Sequence, residues 1–188
     1  MHPRIRELLD HLAHNRAKLR AAVDSVAPHL RERRPAPERW SVAEVLEHLV
    51  IVEGALARRR TSQVAAAGAE GLGPDHETTP VVPTLNTAFV LNRTKRIVAT
   101  EAARPRGGSD ATSAWAALEQ SRERLRAALL GADGLALGSI SMSHPALGEL
   151  NMYQWIAFVG THEARHAAQI REIGAALTTP AEGASGSS

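Results

Sequence analysis

The stretch Asn151 to Gly174, NMYQWIAFVGTHEARHAAQIREIG, decides the fold. Taken in steps of three and four, Trp155, Val159, His162, His166, Gln169 and Ile173 fall on one stripe, so the segment reads as a long helix whose apolar face carries two imidazoles one turn apart. Two histidines at i and i+4 on a buried face either bond to neighbouring groups as core residues or share a metal ion. The second reading requires a third ligand from elsewhere in the chain.

Composition limits where that ligand comes from. The 188 residues fit one domain with a single core, and cysteine is absent, so disulfides, thiolate ligands and cysteine nucleophiles are excluded. A metal here must be held by His, Asp or Glu. The formal charge is +2, yet the pI is about 9.6, because nearly all the cations are arginines and only Lys18, Lys95 and Tyr153 titrate at alkaline pH. That balance is no nucleic-acid signature. The longest strongly apolar run, Leu49 to Val52, is far too short for a span; we expect no membrane segment and no signal peptide, and lack of cysteine suits a cytoplasmic protein.

Working outward, the third histidine appears in the second helical segment. Ser41 and Glu44 form a capping box, after which Val45, Leu46, Leu49, Val52 and Leu56 recur at helical spacing, with His48 on the same stripe. Glu44 lies one turn before His48. It is either a candidate base beside that imidazole or simply the cap. Ahead of this segment, Pro3 opens a helix carrying Ile5, Leu8, Leu9, Leu12, Leu19 and Val23 that should end at Pro28; His11 and His14 read as rim or solvated residues there. Arg31 to Arg39, with Pro35 and Pro37, reads as a loop delivering Trp40.

Beyond Arg58 to Arg60, a solvated helix end, the Gly-, Ala- and Pro-rich stretch Ala65 to Pro83 reads as a long connection with His76 on its surface. A less regular helix is predicted over Thr84 to Thr100. A further one, capped by Ser109 or Thr112, carries Trp115, Leu118, Leu125 and Leu129 and stops at Gly131; its Glu119, Arg122, Glu123 and Arg126 read as an exposed face. Gly134 to His144-Pro145 reads as a loop with room for a short strand pair. Residues 1–178 thus make an all-α domain, and 179–188 a disordered tail.

Trp40-Ser41 with Glu44 and His48-Leu49, then His144-Pro145 with Gly148, Trp155, His162, Arg165-His166 and Gln169-Ile170, resemble the DinB-like superfamily, which includes the YfiT-like proteins. The resemblance covers nearly the whole chain. It implies a four-helix bundle with a long crossover, here containing an additional helix, and a divalent metal ion (Zn, Ni or Fe) held by His48, His162 and His166. It also implies His144 near the pocket, a homodimer, and for some relatives a transferase or isomerase reaction using a low-molecular-weight thiol as cosubstrate.

His162-Glu163-Ala164-Arg165-His166 also spells the zinc-protease motif H-E-x-x-H. A metzincin would need Gly and His where Gln169 and Glu172 stand, and a thermolysin-like site needs a glutamate further downstream on a structured helix, whereas Glu182 lies in the tail and Glu172 comes too early. Glu163, adjacent to His162, projects about 100 degrees away from it and is assigned to the pocket wall or the surface. Three imidazoles leave a metal with open positions, as catalytic sites do. The expectation is therefore a metal-dependent enzyme acting on a small molecule, thiol transfer ahead of hydrolysis, with a non-catalytic metal- or ligand-binding stress protein as the alternative.

Overall fold

A computed structural model describes residues 1–69, 71–94 and 98–179. Four long helices run through it: α1 (Pro3–Asp24), α2 (Val42–Ala69), α4 (Ala111–Gly131) and α5 (Met152–Thr178), with a short α3 (Thr87–Leu91) in the crossover between α2 and α4. A hairpin of β1 (Ser141–His144) and β2 (Gly148–Asn151), pairing Ser141 with Asn151 and His144 with Gly148, leads into α5. Gly148 has φ +74°, a conformation that favours glycine at this tight turn. The expected tail from residue 180 onward lies outside the described residues.

Local chemistry sets the helix ends. Ser41 Oγ accepts from Glu44 N–H at 3.1 Å and the Glu44 carboxylate accepts from Ser41 N–H at 2.8 Å, the capping box read from the sequence. At α5, Asn151 and Gln154 form a second box. Helix α4 is capped by Asp110, which accepts from Ser113 N–H at 2.8 Å, and not by Ser109 or Thr112. Helix α1 stops at Asp24, ahead of the expected Pro28, which instead begins a 3-10 turn.

Two other segments depart from expectation. Helix α2 continues to Ala69, because residues 65–67 are alanines with the highest helix propensity and no glycine-proline break comes before Gly71. The helix expected over Thr84 to Thr100 shrinks to Thr87–Leu91. Asn92 accepts from Thr94 N–H at 2.9 Å, an Asx turn that ends it, and Arg165 donates to the Val90 carbonyl at 2.8 Å and to the Asn92 carbonyl, bonds that replace those of a longer helix. Residues 95–97 lie outside the described part.

The helices associate as two pairs. α1 lies along α5 and α2 along α4 in extensive contact, whereas contact between the pairs, α2 to α5 and α1 to α4, is sparser. At one end Ile5, Leu8, Leu12, Ala57, Leu125, Ile156 and Val159 form one apolar core; at the other Leu19, Val23, Leu46, Leu49, Leu118, Ala167 and Ile170 form a second. Between them lies a polar layer built from one charged residue of each long helix: Arg16, Glu53, Arg122 and Glu163. Arg122 is therefore not on an exposed face, and Glu119 folds over Arg16 at 2.8 Å. Among the described residues, no helix is long and apolar enough to cross a membrane.

Candidate metal centre

His48 of α2 and His162 and His166 of α5 meet between these two helices. His166 Nε2 lies 3.1 Å from His162 Nε2, and His48 Nε2 lies 3.5 Å from it. Two nitrogens bound to one zinc at about 2.0–2.1 Å with tetrahedral angles would stand about 3.3 Å apart. Helix periodicity brings the α5 pair onto one face; α2, in the other helix pair, supplies the third ring across the sparse α2–α5 contact.

The outer nitrogens determine what the inner ones offer. His48 Nδ1 lies 2.6 Å from the Ala103 carbonyl, which only accepts, so Nδ1 carries the proton and Nε2 a lone pair. His166 Nδ1 lies 2.9 Å from Gln169 Oε1, which fixes the same tautomer. His162 Nδ1 is buried without a hydrogen-bond partner. If His162 carries its proton on Nε2, its Nδ1 lone pair is buried and unsatisfied; if on Nδ1, three lone pairs face one another. Both states are costly for the bare side chains, and a cation accepting all three lone pairs removes the repulsion between them. The residues present thus fit a divalent ion.

The rings are kept neutral by their surroundings. Burial pushes the His162 pKa down to about 3, reinforced by His48, Arg165 and His144. Burial likewise holds His166 well below the ordinary range and His48 below it, against the pull of the Ala103 carbonyl in the latter. Aromatic groups complete the walls: Phe158 stacks on His162 with centroids 5.4 Å apart, and Trp40 lies 5.1 Å from His48.

The other residues singled out in the sequence are placed as follows. His144 packs 4.7 Å from Phe158 and 5.0 Å from Trp155, one ring removed from His162, with Nδ1 accepting from the amides of Ala146 and Leu147. Glu44 is taken up by its cap and by Arg34, whose Nε lies 2.9 Å from Oε2. Burial opposes its ionisation, but those hydrogen bonds prevail and hold its pKa below the usual carboxylate range, which makes it a poor base. Glu163 is fully buried on another side of α5, bound by Arg16 at 2.6 Å and Arg122 at 2.8 Å, so it has no room to activate water as the protease motif requires. His11 is half-buried at the rim against α5, its ring 3.0 Å from the Ala157 carbonyl; His14 and His76 are exposed.

Sequence reading missed the crossover's part in the site. Ala103 orients His48, and Arg165 and Glu172 fasten the middle of the same crossover, Glu172 through a two-pronged ion pair with Arg93. A backbone carbonyl has no side-chain signature, so Ala103 left no signal; Arg165, a cation beside a candidate ligand on an apolar helix, was the visible clue.

Fold and site together define a four-helix bundle with a three-histidine cluster able to hold a metal. The DinB superfamily model matches residues 5–170, and the chain belongs to that family. It is similar to the uncharacterized protein YuaE of Bacillus subtilis (strain 168), 29% identical over 140 residues that make up 74% of this chain and 80% of that protein. It also resembles the crystal structure of TT2238, described as a four-helix bundle protein, with a TM-score of 0.56 at 20% identity, covering 89% of this chain and 98% of that one. That likeness establishes the fold.

Proposed function

We propose that His48, His162 and His166 hold one divalent ion (Zn, Ni or Fe) and that the protein uses it to transfer a low-molecular-weight thiol to, or isomerise, a small electrophile. The observation that carries this reading is the convergence of three Nε2 atoms, with the His48 ring oriented from behind by Ala103 and the His166 ring by Gln169. A divalent ion held by His48, His162 and His166 would lower the pKa of a thiol or water and polarise a substrate atom.

The chain's own groups do the rest. Phe158 and Trp40 exclude water around the cluster and offer apolar walls to a substrate. The chain has no cysteine, so the nucleophilic sulfur comes from the cosubstrate. In the transfer, the thiol loses its proton to solvent, a sulfur–carbon bond forms, and the leaving group departs with its bonding pair. Glu44 enters this reading as the helix cap, and Glu163 as part of the polar layer. The test is conjugation of a generic electrophile with bacillithiol, mycothiol and glutathione, using chelator-treated protein and His166→Ala as controls. Thiol-dependent product that vanishes in both controls supports the proposal. Ester hydrolysis without thiol dependence reassigns the site to a hydrolase, and silence in every assay to a metal- or ligand-binding protein.

A further inference from the structure

The polar layer is a closed ring of four ionisable side chains, one from each long helix, in which burial and the neighbouring Glu163 push the Glu53 carboxyl well above the usual carboxylate range against the pull of Arg122 and Arg16. Arg16 of α1 reaches both Glu163 of α5, 2.6 Å away, and Glu53 of α2, 3.2 Å away. Arg122 of α4 likewise stands 2.8 Å from Glu163 and 3.5 Å from Glu53, and its Nη1 donates to the Leu12 carbonyl of α1 at 2.9 Å. Each guanidinium therefore bridges one helix pair to the other, and each carboxylate is shared between the pairs. Both carboxylates are buried, Glu163 completely.

Such a ring is poorly explained as a source of stability. Well-packed apolar residues in place of a buried ion-pair network are often as stable or more so, and the best attested use of buried charge is to fix register. Register is what this bundle needs at this level. The metal ligands are divided between the pairs, His48 on one and His162 and His166 on the other, where direct contact between α2 and α5 is sparse and the apolar core is split in two. Apolar layers slide with little directional penalty, whereas Arg16 hydrogen-bonds both carboxylates and Arg122 is held by ion pairs to both and by a hydrogen bond to the Leu12 carbonyl, contacts that a shift of one pair along the other would break. Glu163 follows His162 directly, and Glu53 lies on α2 five residues after His48.

We infer that the Arg16–Glu53–Arg122–Glu163 ring sets the register between the two helix pairs, and with it the separation of His48 from His162 and His166. Its four members are positioning residues, and the consequence for metal binding rests on the reading given under Proposed function. The ring acts at a distance: Arg16 and Arg122 belong to helices that carry no ligand.

The decisive variant is the double substitution Arg122→Met/Glu53→Gln, which removes one charge of each sign and leaves Arg16 paired with Glu163. The reciprocal Arg16→Met/Glu163→Gln leaves Arg122 paired with Glu53. Two readouts are used. Zn2+ titration and the visible absorption spectrum of the Co2+-loaded protein report the ligand set. In metal-free protein, which has no native cysteine, spin labels on Ala55→Cys of α2 and Ala175→Cys of α5, both exposed positions, report the distance between the pairs. Leu8→Ala, a cavity in one core, serves as a destabilised control.

The inference expects both double variants to fold, to bind Zn2+ about 10-fold or more weakly, to shift the Co2+ spectrum, and to shift or broaden the spin-label distance, while Leu8→Ala lowers the melting temperature without moving these readouts. Unchanged affinity, spectrum and distance in the folded variants overturn it. So does failure of both double variants to fold, the result for a ring that holds the fold itself. If the unsubstituted protein binds neither ion, the metal reading fails, and the spin-label distance alone decides whether the ring sets register.

Discussion

Gly160 marks a close approach of α1 to α5, two residues before His162, and gives a quantitative test of how that helix is seated. A Cβ placed there would lie 2.6 Å from His11 Cδ2, 2.8 Å from its Nε2 and 3.2 Å from Asn15 Nδ2. The His11 ring cannot swing away freely, because it bonds the Ala157 carbonyl at 3.0 Å and lies 3.3 Å from Thr161 Oγ1. Overpacking of this kind costs about 1–3 kcal/mol. Replacing a mid-helix glycine by alanine returns about 1 kcal/mol of helix propensity. Gly160→Ala should therefore destabilise the protein by about 1 kcal/mol net, a fall in Tm of about 2–4 °C. In a His11→Ala background the two closest contacts are gone, leaving only the flexible Asn15 amide at 3.2 Å, and the same substitution should stabilise by up to about 1 kcal/mol. Urea unfolding of the four proteins in this cycle measures the coupling. An equal loss in both backgrounds, or a full alanine gain with His11 intact, would refute the argument.

Acidification should destabilise the metal-free protein. An unfolded histidine takes up a proton near pH 6.5, while the buried His162 stays neutral down to about pH 3; its contribution is complete above pH 6.5 and lost as pH falls, by about 2 kcal/mol between pH 7 and 5. His166 and His48 add in the same direction. Chelator-treated protein should thus show a falling urea midpoint over that range, less steep in His162→Gln, and a flat profile contradicts this account. Glu44→Ala should cost about 1 kcal/mol as a lost helix cap yet leave metal content intact by elemental analysis; loss of metal would move Glu44 into the site. The homodimer that family resemblance implies should appear as twice the chain mass in light scattering, and a monomer mass across a wide concentration range disposes of it.

Local signals were legible in the sequence and long-range ones were not. The Ser41–Glu44 box, the α5 stripe and the three histidines on apolar faces are decided by residues within a few positions of one another, and the structure brings the three imidazoles together. The charge ring is made of partners up to 147 residues apart, so Arg122 reads locally as surface. Even so, Arg16 between Leu12 and Leu19, and Glu53 between Leu49 and Ala57, occupy core positions of their helices, and four charges on four stripes were the visible trace. The crossover was misread for a related reason. Its alanines extend α2 by intrinsic propensity, whereas its later half is shaped by Arg165 taking up backbone carbonyls from a helix more than 70 residues away.

The central claim, one divalent ion on three imidazoles, is tested most directly by elemental analysis of purified protein from cultures with controlled zinc, nickel and iron supply. One ion per chain is expected in the unsubstituted protein, and loss of stoichiometric metal in each of His48→Ala, His162→Ala and His166→Ala with helical content retained. Full metal content in all three folded variants, or none in the unsubstituted protein under any supply, would contradict it.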